Sequence, residues 1–146
     1  MSFERCVTPE KATGNPDLAI FCDASKKAFG AVAYCRYKLG DGTFATRFLI
    51  AKSRIAPLNT LSLPRLELQS VVIGSRLCET IRIESRLNFE NVYIFTDSLI
   101  AYSWVLNDSR LYSTAVATRT GEIRSKTKPE YFAHCPSEEN VADDLS

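Results

Sequence analysis

Asp23, Glu67, Asp97 and Asp143 are four acids spread along the chain, each where an apolar segment begins or ends. Asp23 closes Leu18-Ala19-Ile20-Phe21-Cys22, and Asp97 closes Val92-Tyr93-Ile94-Phe95-Thr96. Glu67 stands in the first turns of a long helical pattern, and Asp143 stands near the end of the sequence. Carboxylates at strand ends and helix starts can converge on one crevice at the edge of a sheet. Gathered there, they repel one another unless a cation neutralises them. Magnesium takes hard oxygen ligands and fills the rest of its shell with water. Two such ions, roughly 3.5–4 Å apart, can activate a water and stabilise a departing oxygen in phosphodiester cleavage, with Asp97 placed to bridge them. Taken singly, each acid is more often a solvated loop or capping residue; the strand order weakens that reading for the set.

The elements that must position these acids can be read from periodicity. Residues 1–17, with Gly14, Pro9 and Pro16, read as a linker or tail. Leu18 to Cys22 is a buried strand, Ala31 to Leu39 a second with Val32, Tyr34 and Arg36 on one face, and Gly40-Asp41-Gly42 a hairpin signal before a third from Thr43 to Lys52. A helix begins near Ser62-Leu63-Pro64 and runs to about Arg86, with apolar residues on two sides. Asn91 to Thr96 is a central strand, Ser98 caps a second helix to about Leu106, Leu111 to Lys126 is a third helix, and Glu130 to His134 is a last strand, with a further helix after Asn140. The order β-β-β-α-β-α-α-β-(α) predicts an α/β domain, a mixed sheet with helices packed on it.

The bulk composition sets bounds. The 146 residues suit one domain, 45% hydrophobic and 24% charged residues are an ordinary globular balance, and a net charge of +1 leaves any nucleic-acid attraction to a local patch. The dispersed Cys6, Cys22, Cys35, Cys78 and Cys135 contain no CxxC pair, and one histidine excludes a zinc site built on several. Unpaired thiols of this kind fit an intracellular setting. No apolar run spans a bilayer, so no membrane partner is expected, and the end at Leu145-Ser146 without a cap after Asp143 suggests a segment cut from something longer.

Five blocks occur in order: Phe21-Cys22-Asp23-Ala24-Ser25 with Gly30-Ala31-Val32; Ala51-Lys52-Ser53-Arg54-Ile55-Ala56-Pro57; Leu63-Pro64-Arg65-Leu66-Glu67-Leu68; Phe95-Thr96-Asp97-Ser98 with Trp104; and His134-Cys135-Pro136-Ser137-Glu138-Glu139-Asn140-Val141-Ala142-Asp143. Together they resemble the retroelement ribonuclease H family, most closely the domain in the Pol polyprotein of BEL/Pao-type long-terminal-repeat retrotransposons. The resemblance covers residues 18–146. It implies a ribonuclease H-like five-stranded sheet, three antiparallel strands then two parallel ones, flanked by helices and truncated at its C-terminal helix. Residues 1–17 would be the end of the preceding polymerase region.

The resemblance also implies an endonuclease cutting the RNA strand of an RNA–DNA hybrid. Two Mg2+ ions, with Mn2+ as a substitute, would be held by Asp23, Glu67, Asp97 and Asp143. Asp143 is preferred to Asp144 because Asn140-Val141-Ala142-Asp143 follows the family's Asn-x-Ala-Asp. His134 would assist proton transfer or product release, or else be a strand-end residue held by a hydrogen bond. Lys52, Arg54 and Arg65 would neutralise phosphates, and Ser25, Ser53, Ser98 and Asn59 would hydrogen-bond phosphates or the 2′-hydroxyls that distinguish RNA from DNA. Arg110, Arg119, Arg124, Lys126 and Lys128 form a second basic set around the third helix; for all these cations a solvated surface charge is the commoner role. Trp104 reads as a core residue rather than a base-stacking one. Only Asn107 to Arg110 separates the second and third helices, which leaves no room for an extra basic helix. Hybrid affinity is therefore expected from the reverse transcriptase region of the same polyprotein, in a cytoplasmic particle. A non-catalytic tether or hybrid-binding module of the same fold, or another nuclease or integrase of that fold, are the competing readings.

Overall fold

The computed structural model describes residues 12–57, 62–85, 87–107 and 113–134. Strands β1 (Ala12–Ala24), β2 (Ala28–Leu39) and β3 (Phe44–Ile55) form an antiparallel meander. Helix α1 (Leu63–Glu84) crosses to β4 (Val92–Thr96). Helices α2 (Leu99–Leu106) and α3 (Thr114–Lys126) then lead through a 3-10 turn, Pro129–Tyr131, to β5 (Phe132–His134). The sheet order is β3-β2-β1-β4-β5, with β4 parallel to both β1 and β5. The expected three antiparallel strands followed by two parallel ones are present.

Alternation decides which side chains face the helices. Leu18, Ile20 and Cys22 of β1, Ala31, Ala33, Cys35 and Tyr37 of β2 and Ile94 of β4 join one buried core with α1. The other face carries Phe21, Tyr34, Phe48, Tyr93 and Phe95. Phe21 stacks on Phe95 at 4.9 Å between ring centroids, and Phe95 on Tyr93 at 5.9 Å. Cys22, Cys35 and Cys78 are buried and take part in no disulfide, as their apolar surroundings predict; Cys6 and Cys135 lie outside the described residues.

β1 reaches back to Ala12, into the stretch read as a tail. It passes Gly14 and Pro16 by a register shift between Thr13 and Asp17, with Gly14 at φ 72°. A bulge lets a strand carry a proline, and here the Pro16 carbonyl accepts from the Glu90 amide at 2.9 Å. β2 starts at Ala28 and β3 runs on to Ile55, each three residues beyond the expected bounds, and Pro129 sets a further difference: a 3-10 turn takes the first residues of what periodicity alone reads as a strand from Glu130.

α1 is buried on two sides, with Leu66, Leu68, Leu77, Cys78, Ile81 and the whole run Ser70–Ser75 inside. One side meets the sheet and the other meets α3. Arg76 is bidentate to Glu122, and Lys126 Nζ lies 3.1 Å from Glu79. Glu79 therefore faces α3 rather than the core. Among the described residues no helix is long and apolar enough to cross a membrane.

Candidate active site

The parallel register of β1 and β4 pairs Cys22 with Thr96, so Asp23 and Asp97 are the next residues out at one edge of the sheet. β5 continues the row, because Thr96 pairs with His134. Asp23 is 7% exposed and Asp97 buries its Oδ1 atom. Glu67 joins them from the N-terminal end of α1. Burial is the largest cause raising its pKa above the ordinary glutamate value, and the negative charges of Asp97 and Asp23 raise it further. A Ser98 side-chain hydrogen bond pulls the other way. Three acids from three separate elements thus share one electrostatic neighbourhood. Burial also raises the Cys22 thiol, and Asp23 and Asp97 add to the shift, which keeps the thiol neutral.

Ser98 is buried. It caps α2 by accepting from the Ala101 amide at 3.1 Å, and its own amide donates to Thr96 Oγ1 at 3.2 Å. The cap turns the chain directly after Asp97 and leaves the hydroxyl proton for Glu67. His134 is exposed, and its Nε2 lies 3.0 Å from the Asp97 carbonyl oxygen. A carbonyl only accepts, so this bond places a proton on Nε2 and leaves Nδ1 for other work.

The remaining sequence-predicted residues surround this edge at different distances. Asp23 pairs with Gly30, and Gly30 with Ser53, so Ser53 lies in the same row two strand spacings away, about 10 Å. Lys52 and Arg54 flank Ser53 on exposed β3. A Cβ at Gly30 would lie 2.6 Å from the Lys52 carbonyl oxygen, so only glycine fits this row. Ser25 is used locally: its Oγ accepts from the Lys27 and Ala28 amides, each at 3.2 Å, in the β1–β2 turn. Arg65, half-buried, lies near Gln69 and Arg119 between α1 and α3. The Gln69 amide oxygen faces Arg119. Asp143, Asp144, Asn59 and Arg110 lie outside the described residues.

Two members of the second basic set, Arg124 and Lys126, have structural partners. Arg124 donates from Nε to the Val105 carbonyl at 2.8 Å and from Nη2 to the Asn107 carbonyl, closing the C-terminal end of α2. Lys126 pairs with Glu79. Two contributors were not singled out in the sequence. Thr96 is buried beside the cap, and Gly74 sits in the middle of α1. A helix-interior glycine costs about 1 kcal/mol against alanine, and that is the signal that marks Gly74.

The donors suit a hard divalent cation: all are carboxylate oxygens, and their mutual repulsion is what such a cation would relieve. Among the described residues, no three histidine, cysteine or acidic side chains close around one point tightly enough to hold an ion by themselves. A shell completed by water or by a residue beyond the described ones fits this arrangement.

Solved structures with the same fold include the N-terminal RNase H domain of rv2228c from Mycobacterium tuberculosis, at 10% identity and TM-score 0.56, covering 90% of this chain and 91% of that one. LC11-RNase H1, isolated from compost by a metagenomic approach and solved in complex with RNA/DNA hybrid, matches at 14% identity and TM-score 0.54, covering 89% and 92%. No match is found among curated proteins. A family model described as Pao retrotransposon-like RNaseH-like domain matches residues 1–98, a span that includes Asp23, Glu67 and Asp97. The chain belongs to the Pao retrotransposon-like RNaseH-like domain family.

Proposed function

We propose that this domain is a ribonuclease H that hydrolyses the RNA strand of RNA–DNA hybrids during reverse transcription. The observation that carries the reading is the convergence of Asp23, Asp97 and Glu67 from two strand ends and a helix start. The hybrid-bound state of LC11-RNase H1, which has the same fold, supports the substrate class. Asp23, Glu67 and Asp97, with Asp143, would hold divalent magnesium, or manganese in its place. When bound, the metal supplies activation of water and stabilisation of the departing oxygen.

The chain's own groups do the positioning. Asp23 and Asp97 are fixed by the sheet, and Glu67 is oriented by Ser98. His134, anchored through Nε2, offers Nδ1 for proton exchange. Ser25, Lys52, Ser53, Arg54 and Arg65 would meet the backbone of the hybrid or its 2′-hydroxyls, while Ser98, buried and bonded to Glu67 and to the Ala101 amide, would act through Glu67. A net charge of +1 gives the lone domain little general attraction for nucleic acid, so a polymerase region of the same polyprotein would supply most of the affinity. The setting would be a cytoplasmic particle.

The test is cleavage of a labelled hybrid with and without Mg2+, beside hybrid-free double-stranded RNA and DNA. Metal-dependent cutting of the RNA strand in the hybrid alone supports the reading. The competing reading is a non-catalytic hybrid-binding module of the same fold. Hybrid binding without cutting at any metal concentration would select it.

A further inference from the structure

Glycine is a poor choice for the interior of a helix, yet Gly74 is buried midway along α1. The reason lies beneath it. A Cβ at this position would stand 2.6 Å from Cys22 Sγ, 3.3 Å from Ile20 Cγ2 and 3.7 Å from Ala31 Cβ. Ordinary contact begins near 3.4 Å, so a methyl here must lift the helix or displace Cys22 by about 1 Å. Cys22 is fully buried and has Ile20, also fully buried, beside it on the same strand. The two partners in this contact each sit a short lever from the acids. Cys22 directly precedes Asp23 and pairs with Thr96, which directly precedes Asp97. Gly74 follows Glu67 by two helical turns, about 10 Å along nearly the same face of a stiff helix. A shift at Gly74 is therefore passed to Glu67, while the strand ends stay where the sheet holds them.

We propose that Gly74 and Cys22 are positioning residues: their contact sets the height of α1 over the sheet and thereby the separation of Glu67 from Asp23 and Asp97. The inference rests on the divalent-ion reading of the site given above. It assigns a role to two uncharged residues that touch neither metal nor substrate.

The test uses the full chain as wild type, Gly74→Ala, Cys22→Ala and Cys22→Ala/Gly74→Ala. Each is measured for Mg2+ affinity without substrate by calorimetry, for kcat and KM on hybrid, and for the position of Glu67 by crystallography. Gly74→Ala is expected to move Glu67 by about 1 Å from Asp23 and Asp97. It should also weaken Mg2+ binding and kcat by roughly 10- to 100-fold, with KM for hybrid little changed. The double variant, in which the new methyl takes the room left by the thiol, should recover both to within a few-fold. Wild-type metal affinity and Glu67 position in Gly74→Ala would overturn the proposal. So would a folded double variant that remains as impaired as the single one. If Gly74→Ala fails to fold, the double variant decides alone: wild-type-like Mg2+ binding supports the lock, and binding more than tenfold weaker refutes it. If the wild type binds no Mg2+ and cuts no hybrid, the nuclease reading fails, and the crystallographic displacement with its reversal still judges the lock.

Discussion

Cys22 and Thr96 stand opposite each other on neighbouring parallel strands, so that Asp23 and Asp97, the residues that follow them, come side by side. Asp23 is held within β1 by its pairing with Gly30, and Asp97 directly follows the last paired residue of β4, its carbonyl oxygen bonded by His134. Glu67 is the adjustable member, carried by a helix whose seating depends on side-chain packing.

Replacing Asp97 by asparagine keeps the size of the side chain and removes its charge. Metal-dependent hybrid cleavage is expected to fall by at least about 10³-fold, with an unchanged circular-dichroism spectrum. Cleavage at the wild-type rate would remove Asp97 from the site.

Glu67 gives a pH dependence whose sign is fixed. Its folded-state pKa is raised, first by burial and then by Asp97 and Asp23. The folded state therefore holds the proton more tightly than the unfolded chain. The associated stability is present below the ordinary glutamate pKa and is lost as pH rises through the raised folded value. Urea midpoints of the metal-free protein should decline over that window, and Glu67→Gln should flatten the decline. A midpoint that rises with pH in wild type but not in the variant would contradict the assignment.

Added Mg2+ should reverse that loss at neutral pH. A ligand that binds only the folded state stabilises it by mass action, about 2.7 kcal/mol at a hundredfold excess over its dissociation constant. The melting temperature should climb with Mg2+ and return on chelation, and Asp23→Asn should abolish the climb. An equal climb in the variant would mark the effect as nonspecific.

Arg124 should matter for stability and not for hybrid binding. Its guanidinium donates to the Val105 and Asn107 carbonyls at the end of α2. Arg124→Ala is expected to cost about 1–3 kcal/mol in chemical denaturation. The salt dependence of hybrid binding should stay unchanged, because no phosphate contact is lost.

How much of this was legible in the sequence depends on the element. The hairpin at Gly40-Asp41-Gly42 and the alternation in β2 come through because strand period and turn chemistry are local. Val32, Tyr34 and Arg36 indeed lie on the face opposite Ala31, Ala33 and Cys35. The β1 start does not come through, because Gly14 and Pro16 are loop signals unless a bulge and a partner strand absorb them. Asp23, Glu67 and Asp97 could be selected from their positions at element ends. Asp97 and Asp23 both act electrostatically on Glu67, and Asp143 lies outside the described residues. The division of the basic residues was not legible. Nothing local in Arg124 says that it faces two carbonyls, or in Lys126 that it faces Glu79. Those partners come from α2 and α1, and only tertiary packing brings them near.

Parallel strands cannot be joined by a tight hairpin; a crossover must intervene. β1 pairs with β2 at once, but β2, β3 and α1 must be synthesised before its parallel neighbour β4 exists. A nascent chain halted anywhere before Thr96 therefore has Asp23 without Asp97 beside it. Translation has to pass β4 before Asp23 and Asp97 can be brought next to each other.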